Sequence, residues 1–187
     1  SKLDIPYYVL DYTESFSKNV VDNFTQMYAQ GLTPNPCVEC NRSVKFDHFI
    51  TQAKKLNCDK VATGHYAKII KKNNEFELHK ADYLDKDQSY VLHMLKSSDL
   101  ENISFPLGEI SKPEVRQIAA RIGLKTAFKK DSQDICFVGK KDYRSFVEKR
   151  IDLTSPGEIF DIEGNKVGDH NGIHEFTVGQ RKGLPGG

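Results

Sequence analysis

The stretch TPNPCVECNRSVKFDHFITQAKKLNCDKVATGHYA, residues 33–67, decides the fold. Two prolines one residue apart predict a fixed, exposed loop, because proline locks its own backbone and disfavours helix in the residue before it. A helix is then expected to begin near Asn41 or Ser43, either of which can cap it, and to run to Leu56. KVATGHYA reads as a strand that ends at Gly64.

The residues before this stretch supply two more elements. Residues 4–11, DIPYYVLD, form a short apolar run with β-branched and aromatic members, which predicts a buried strand. Between Ser15 and Gln30 the apolar residues recur at helical spacing, and Gly31 is a natural stop. Strand, helix, loop, helix and strand in this order predict an α/β domain with a parallel sheet.

The residues after this stretch are predicted in less detail. Residues 66–80 favour a hairpin or a loose loop. Lys86–Leu95 favours a short helix, and ICFV (135–138) a short strand. Ser111 and Glu114 form a capping box that opens a helix ending at Gly123.

The character of the chain changes near its end. After a helix near 142–151, short alternating runs rich in glycine and turn residues predict a small β-rich unit. We therefore expect a parallel-sheet domain over residues 1–139 and a small β-rich domain, with a leading helix, over residues 140–187.

Composition is typical of a globular domain, with 38% hydrophobic and 28% charged residues. No stretch approaches the roughly 18 apolar residues of a membrane span, and the first residues lack a signal-peptide pattern. These features predict a cytoplasmic protein that does not contact membrane.

The net charge of +1 is unevenly distributed. Residues 111–150 contain eleven Lys or Arg and five Asp or Glu and so carry +6, which leaves −5 for the rest of the chain. A basic stretch can meet a phosphate backbone, although a solvated surface with scattered lysines has the same composition.

Cys37-Val-Glu-Cys40 is a CxxC motif that permits three interpretations. A zinc half-site would need two further ligands, and no second close pair of cysteines exists in the sequence. A thioredoxin-like redox pair would directly follow a strand, whereas a proline-fixed loop precedes this motif. The third interpretation is a reactive thiolate at a helix N-terminus, where unpaired N–H groups favour negative charge at Cys40.

Cys136 lies in the short apolar run ICFV. A lone cysteine between Ile and Phe is most often a packed core residue. Four nearby lysines would favour a thiolate if the side chain were exposed; they are Lys129, Lys130, Lys140 and Lys141.

Several blocks together resemble a known family, the tRNA-specific 2-thiouridylases of bacteria and mitochondria. The blocks follow one another in the family's order and cover essentially the whole chain: TPNPCVECNRSVKF (33–46), VATGHYA (61–67), KDQSYVL (86–92), KKDSQDICFVG (129–139) and PGEIFDIEGNKVGDHNGIHEFTVGQRKGL (156–184). FPLGEISKPEVRQIAARIGL (105–124) also resembles a late helix of the ATP pyrophosphatase class.

The resemblance implies an α/β domain of the ATP-pyrophosphatase type and a reaction in two steps. Such enzymes use ATP to adenylate the 2-oxygen of uridine 34 in tRNA, and sulfur then displaces AMP. Cys136 matches the family's persulfide-bearing cysteine. Cys40 matches the second catalytic cysteine, which either activates the transfer or resolves it through a disulfide with Cys136.

The resemblance also implies binding residues. Gly64 matches a position that lies against ATP, where glycine lets a nucleotide approach the backbone. The other positions match contacts to tRNA, in part to the target base, which must leave its stack to react; they are Asn35, Pro36, Cys37, His65, Lys86, Asp87 and Gln88. Lys86 suits a phosphate contact, whereas Asp87 suits a residue that orients its neighbours.

Departures from the family pattern qualify these expectations. The family's glycine-rich ATP-binding loop and its C-terminal barrel are not found, so we expect a central fragment, with ATP and Mg²⁺ bound mainly outside it. Some members carry Asp where this chain has Cys37. The three thiols Cys37, Cys40 and Cys136 are therefore alternative ligands for a [4Fe–4S] cluster with one open iron.

The expected partners are tRNA of the Lys, Glu and Gln types and a sulfur-carrier protein or cysteine desulfurase. Two other classes of function remain open. The CxxC motif and the basic window would also suit a nucleic-acid-binding or metal-binding module without catalysis. Another adenylating enzyme of the pyrophosphatase class is less consistent, because simple amide-forming members do not need two separated cysteines.

Overall fold

A computed structural model describes residues 4–129, 135–139, 142–151 and 155–185. Two long helical rods dominate its first part. Rod α1 (residues 13–29) consists of α-helix Thr13–Phe16, π-helix Ser17–Asp22 and α-helix Asn23–Ala29. Rod α2 (residues 36–55) consists of α-helix Pro36–Glu39, π-helix Cys40–Phe46 and α-helix Asp47–Lys55.

Shorter elements complete the described chain. The α-helices are α3 (Ser97–Leu100), α4 (Lys112–Arg121) and α5 (Tyr143–Glu148). The strands are β1 (Val61–Ala62), β2 (Ala67–Lys72), β3 (Glu75–Lys80), β4 (Ile103–Ser104), β5 (Gly157–Phe160) and β6 (Lys166–His170). Short 3₁₀ turns occupy Leu84–Lys86, Ser89–Val91, Lys125–Phe128 and Ile173–Glu175.

The strands pair in three ways. β1 and β4 are parallel, with Val61 opposite Ile103, and the N–H of Thr63 extends the pairing by donating to the carbonyl of Ser104 at 3.2 Å. β2–β3 and β5–β6 are antiparallel hairpins. The predicted α/β class, with a parallel pair followed by a small β-rich region, is confirmed.

Several local predictions are confirmed because they depend on short-range chemistry. Rod α1 covers the predicted helix from Ser15, and Gly31 after it has the positive φ of a helix stop. Ser111 and Glu114 form both hydrogen bonds of the capping box at the start of α4. Residues 66–80 contain the hairpin, and α5 lies within the helix expected near 142–151.

The predicted start of the second helix is wrong. The helix begins at Pro36, because Asn35 is its N-cap and its side-chain oxygen accepts from the N–H of Cys37 at 3.2 Å. Proline is compatible with the first helical position, where its missing N–H has no partner to lose. Cys40 therefore lies inside the rod, one turn from its start, and not before it.

Three further predictions of secondary structure are wrong. Residues 4–11 have no regular structure, with Tyr7 85% and Val9 81% exposed, since no described strand pairs with them. Lys86–Leu95 contains the end of one 3₁₀ turn, a second at Ser89–Val91 and further turns, because Asp87 and Gln88 accept from the backbone N–H groups of Ala81 and Tyr66. ICFV is a turn, not a strand.

Two apolar clusters hold the elements together. The first gathers α2, the strands β2, β3 and β4, and the segment near residue 91; its buried members are Phe46, Ala67, Val91, Leu92, Ile103 and Phe105. The second has Phe24, Tyr28 and Val147 fully buried, with Phe137 and Phe146 packed against them. It therefore joins α1, the segment 135–138 and α5, which lie far apart in the sequence.

Among the described residues, no helix is long and apolar enough to cross a membrane.

Replacement of Phe24 tests the second cluster. Phe24 is 1% exposed and meets Phe137 and Phe146 edge-on, so Phe24→Ala is expected to lower the free energy of unfolding by about 3–5 kcal/mol. Phe160→Ala is the matched control, because Phe160 is 55% exposed and its truncation should cost no more than about 0.5 kcal/mol. Chemical denaturation of both variants gives the comparison. Equal losses would contradict the assigned role of Phe24.

Candidate functional site

The CxxC motif lies in the first turns of rod α2. Asn35 caps the helix, and Pro36 is buried as its first residue. Cys37 is exposed and Cys40 is half-buried, and both thiols are free. The start of this rod therefore presents Cys37 in the first helical turn, at the end of the helix where the dipole favours negative charge, and Cys40 one turn further along.

Rod α2 is held in place from its inner side. Asn41 is 2% exposed, and its Nδ2 donates to the carbonyl of Val91 at 3.0 Å. Phe46 is 1% exposed within the first apolar cluster. On the outer side Arg42 and Glu39 form an ion pair at 2.6 Å. The cysteine pair is thus carried by a helix that the core fixes along its length.

Cys136 reaches the same neighbourhood through its apolar neighbours. Ile135, Phe137 and Val138 pack against the second cluster, and the ring of Phe137 meets that of Phe24 at 5.3 Å. Cys136 itself is exposed in the turn. The predicted alternative of a packed core cysteine is wrong, because the neighbours provide the packing and leave the thiol in solvent.

The three thiols influence one another electrically. Burial raises the pKa of both Cys37 and Cys40, and a charge on Cys136 raises each pKa further. The ammonium of Lys45 acts on both thiols in the opposite direction. Of the four lysines expected to favour a thiolate at Cys136, Lys129 is exposed, and Lys130, Lys140 and Lys141 lie outside the described residues.

Lys45 is a site residue that the sequence pattern did not reveal. It lies five residues after Cys40, a spacing that places side chains on different faces of an α-helix. Residues 40–46, however, are π-helical, and the i→i+5 hydrogen bonds of a π-helix bring residues five apart onto one face. The five-residue spacing can be read in CNRSVKF, but it makes Cys40 and Lys45 neighbours only because the segment is π-helical.

His65 adjoins this group from the strand side. Its Nδ1 is 2.7 Å from Oγ1 of Thr63, and its ring lies 6.0 Å from those of Phe46 and Phe105. Burial first, and then the charge of Lys45, lower the pKa of His65 to about 4. His65 is therefore neutral at pH 7 and acts as a hydrogen-bonding group, not as a cation.

Gly64 precedes His65 and is exposed. A Cβ added there would meet only Cδ1 of Leu107, at 3.8 Å, which is ordinary contact. The surrounding protein does not itself require glycine at this position. The space beside Gly64 is open to other molecules.

The segment 86–88 is attached to the strand that follows His65. The backbone N–H of Gln88 donates to the carbonyl of Tyr66 at 2.8 Å, and the side-chain oxygen of Gln88 accepts from the N–H of Tyr66 at 3.1 Å. Although burial alone would raise the pKa of Asp87, hydrogen bonds from Ser89 and Ala81 lower it. Asp87 thus holds the turn together, while Lys86 is half-buried.

The described residues do not form a metal-binding site. Within the described ranges, no three His, Cys, Asp or Glu side chains gather as a set that could hold a metal ion. Cys37, Cys40 and Cys136 lie close enough for their charges to interact but are not grouped as cluster ligands. The geometry therefore does not fit a [4Fe–4S] cluster.

Fold and site together define an α/β domain that places separated cysteine thiols beside a helix N-terminus and an exposed glycine after a parallel strand. Residues 1–140 match the family described as tRNA methyl transferase HUP domain, and residues 144–185 match the one described as tRNA methyl transferase PRC-barrel domain. The chain belongs to the tRNA methyl transferase HUP domain family.

Curated relatives agree with this assignment. The chain is 48% identical over 184 residues to the tRNA-specific 2-thiouridylase MnmA of Chloroflexus aurantiacus, covering 97% of this chain and 51% of the relative. The proteins of the same name from Rickettsia peacockii and Rickettsia prowazekii are each 48% identical over 185 residues, or 98% of this chain. The resemblance to 2-thiouridylases is confirmed. The chain spans about half the length of these relatives.

The ionisation of His65 can be measured directly. Its ring resonances are expected to titrate in the folded protein with a midpoint at about pH 4, against 6.5 for an ordinary histidine. Since the folded pKa is the lower one, the unfolded chain binds the additional proton. Stability is therefore complete above about pH 6.5 and falls as the pH drops towards 4. Melting curves of His65→Gln should lack this part of the acid sensitivity, and a midpoint near 6.5 would refute the assignment.

Proposed function

We propose that this chain forms part of an enzyme that transfers sulfur to C2 of the wobble uridine, U34, of tRNA, in an ATP-dependent reaction. The observation that carries the proposal is the approach of Cys136 to the cysteine pair at the start of α2, close enough for its charge to act on both thiols. The names of the curated relatives provide the substrate class.

The proposed chemistry begins with activation of the base. The 2-oxygen of U34 attacks the α-phosphorus of ATP, and pyrophosphate leaves. The terminal sulfur of a persulfide on Cys136 then attacks C2 and displaces AMP, which is a better leaving group than hydroxide. Cys136 is exposed in its turn, so a donor protein and the tRNA can both reach it.

Cys40 completes the reaction in this proposal. Its thiolate attacks the Cys136 sulfur of the adduct, so that the sulfur bonded to C2 departs with its electron pair and the product is 2-thiouridine. A Cys40–Cys136 disulfide remains, and an external thiol reduces it. A cysteine desulfurase or a sulfur-carrier protein then restores the persulfide.

ATP is proposed to lie against Gly64, with Mg²⁺ and most nucleotide contacts supplied from outside this chain. The open surface at Gly64 supports this placement, since the nearest atom to an added Cβ would be 3.8 Å away. Parallel α/β sheets bind nucleotides at the carboxyl ends of their strands, and Gly64 follows β1 at such an end.

The proposed tRNA contacts fall into two groups. At the cysteine helix, exposed Asn35 and Cys37 are available to the target base, whereas buried Pro36 fixes the helix start behind them. At the second group, Lys86 is proposed to meet a phosphate. Gln88 accepts a hydrogen bond from the backbone N–H of Tyr66, next to His65, and Asp87 orients the turn. The whole group consists of His65, Lys86, Asp87 and Gln88. The tRNA species proposed are those for Lys, Glu and Gln.

The division into residues 1–139 and 140–187 and the cytoplasmic location also stand as proposals. The described contacts tie the two regions closely: Tyr143 of α5 stacks on Tyr28 of α1 at 4.7 Å, and the N–H of Val178 donates to Oγ1 of Thr33 at 2.9 Å. Any boundary near residue 140 therefore separates regions that share an apolar cluster.

A second candidate function is a nucleic-acid-binding or metal-binding module without catalysis. The CxxC motif and the charge of +6 over residues 111–150 support it. It predicts stoichiometric zinc in the purified protein and tRNA sulfur that does not depend on Cys136. The sulfur-transfer proposal predicts the opposite in both measurements.

The Cys136→Ser variant tests the sulfur-transfer proposal. The full-length protein is expressed in cells that lack their own 2-thiouridylase, and lysine tRNA is analysed on a mercury-containing gel, which retards thiolated bases. At equal protein level, Cys136→Ser is expected to abolish the retarded band because serine cannot carry the persulfide. Cys58→Ser is the matched control, since Cys58 is also exposed and should leave the band intact. A wild-type band from Cys136→Ser would exclude the proposed carrier.

Replacement of Gly64 separates folding from nucleotide binding. Gly64→Ala is expected to change the melting temperature little, because the added methyl group meets no atom closer than 3.8 Å. The same variant should bind ATP about tenfold or more weakly if the nucleotide occupies that space. Isothermal titration of the full-length protein with ATP, and a thermal melt of the same protein, give the two values. Unchanged ATP affinity would remove Gly64 from the nucleotide site.

A further inference from the structure

The register of the π-helical segment places Lys45 beside Cys40. Asn41 and Phe46 are five residues apart, and both are almost completely buried, at 2% and 1% exposure. In the π-helical segment Cys40–Phe46, where Val44 is buried as well, the i→i+5 hydrogen bonds place Asn41 and Phe46 one turn apart. Cys40 and Lys45 each precede one of these residues, so they share the neighbouring face.

The surroundings of Lys45 make its charge effective. Lys45 is half-buried, so its field is screened less than that of a surface lysine. Among the described residues, no carboxylate forms an ion pair with Lys45. Glu39, an acidic group that acts on Cys40, is already paired with Arg42 at 2.6 Å. Among the described residues, no ion pair neutralises the charge of Lys45, so this charge acts on the thiols.

Several groups respond to this one charge. Lys45 lowers the pKa of Cys37 and of Cys40 against burial, and it also helps to keep His65 neutral. Cys136 acts on the two thiols in the opposite direction. A negative charge on Cys136, as on a persulfide, would make the thiolates at α2 harder to form unless a cation offset it.

We propose that Lys45 is a positioning residue that stabilises the anionic sulfur of Cys40 through its place one π-turn along the same helix. Its use in catalysis rests on the proposed sulfur transfer. The stabilisation itself is a property of the folded protein and is present without ATP or tRNA.

The test measures thiol ionisation residue by residue. The full-length protein is treated with iodoacetamide between pH 6 and 10, without ATP or tRNA, and mass spectrometry gives the rate at each cysteine. The thiolate displaces iodide, so the rate follows the thiolate fraction. Lys45→Met removes the charge, Lys45→Arg retains it, and Lys54→Met removes an exposed charge farther along the same rod.

For Lys45→Met we expect Cys40 to react about 3- to 10-fold more slowly at pH 7, with its midpoint shifted upwards by about 0.5–1 pH unit. Lys45→Arg and Lys54→Met should follow the wild type, and Cys58 should not change in any variant. Lys45→Gln, which keeps a polar side chain, should repeat the shift if Lys45→Met folds poorly.

Two results would overturn the proposal. One is an unchanged Cys40 profile in both Lys45→Met and Lys45→Gln. The other is an equal slowing in Lys54→Met or at Cys58, which would indicate a general loss of positive charge. Neither result depends on thiolation of tRNA, so the failure of this proposal and that of the sulfur-transfer proposal are distinguishable.

Discussion

The arrangement of the site depends on the edge-to-face contact between Phe137 and Phe24, whose ring centroids lie 5.3 Å apart. Phe24 is fixed within α1 and buried by Tyr28 and Val147. Because Phe137 follows Cys136 directly, the contact brings that thiol to the side of the molecule where α2 begins. Phe137 also meets Phe16 at 5.6 Å and Phe146 at 5.3 Å, so several aromatic contacts together hold the exposed turn and keep Cys136 near the other cysteines.

The site combines opposed influences on charge. Burial and neighbouring thiols disfavour the anionic sulfur, whereas the helix start and Lys45 favour it. The pKa of such a thiol therefore depends on the charges placed around it. The neutral state of His65 fits the same environment, since burial and one nearby ammonium both oppose its protonation.

The π-helical segment determines which side chains of rod α2 share a face. It buries Asn41 and Phe46 on one side and aligns Cys40 with Lys45 on the next. An α-helix with the same residues would turn Lys45 away from Cys40. π-Helical turns are uncommon and occur frequently at functional sites, because they change which side chains share a face.

Sequence alone determined the features that depend on neighbours along the chain. Helix periodicity identified α1, the capping box located α4, and the ordered family blocks identified Cys40 and Cys136 as residues of interest. Tertiary structure decided the rest. Asn35 and Pro36 began α2 earlier than their loop-like composition indicated, residues 4–11 stayed unpaired, and packing by Phe137 exposed Cys136. Lys45 joined the site only through the π register. These outcomes depend on which distant surfaces meet, and local sequence patterns do not contain that information.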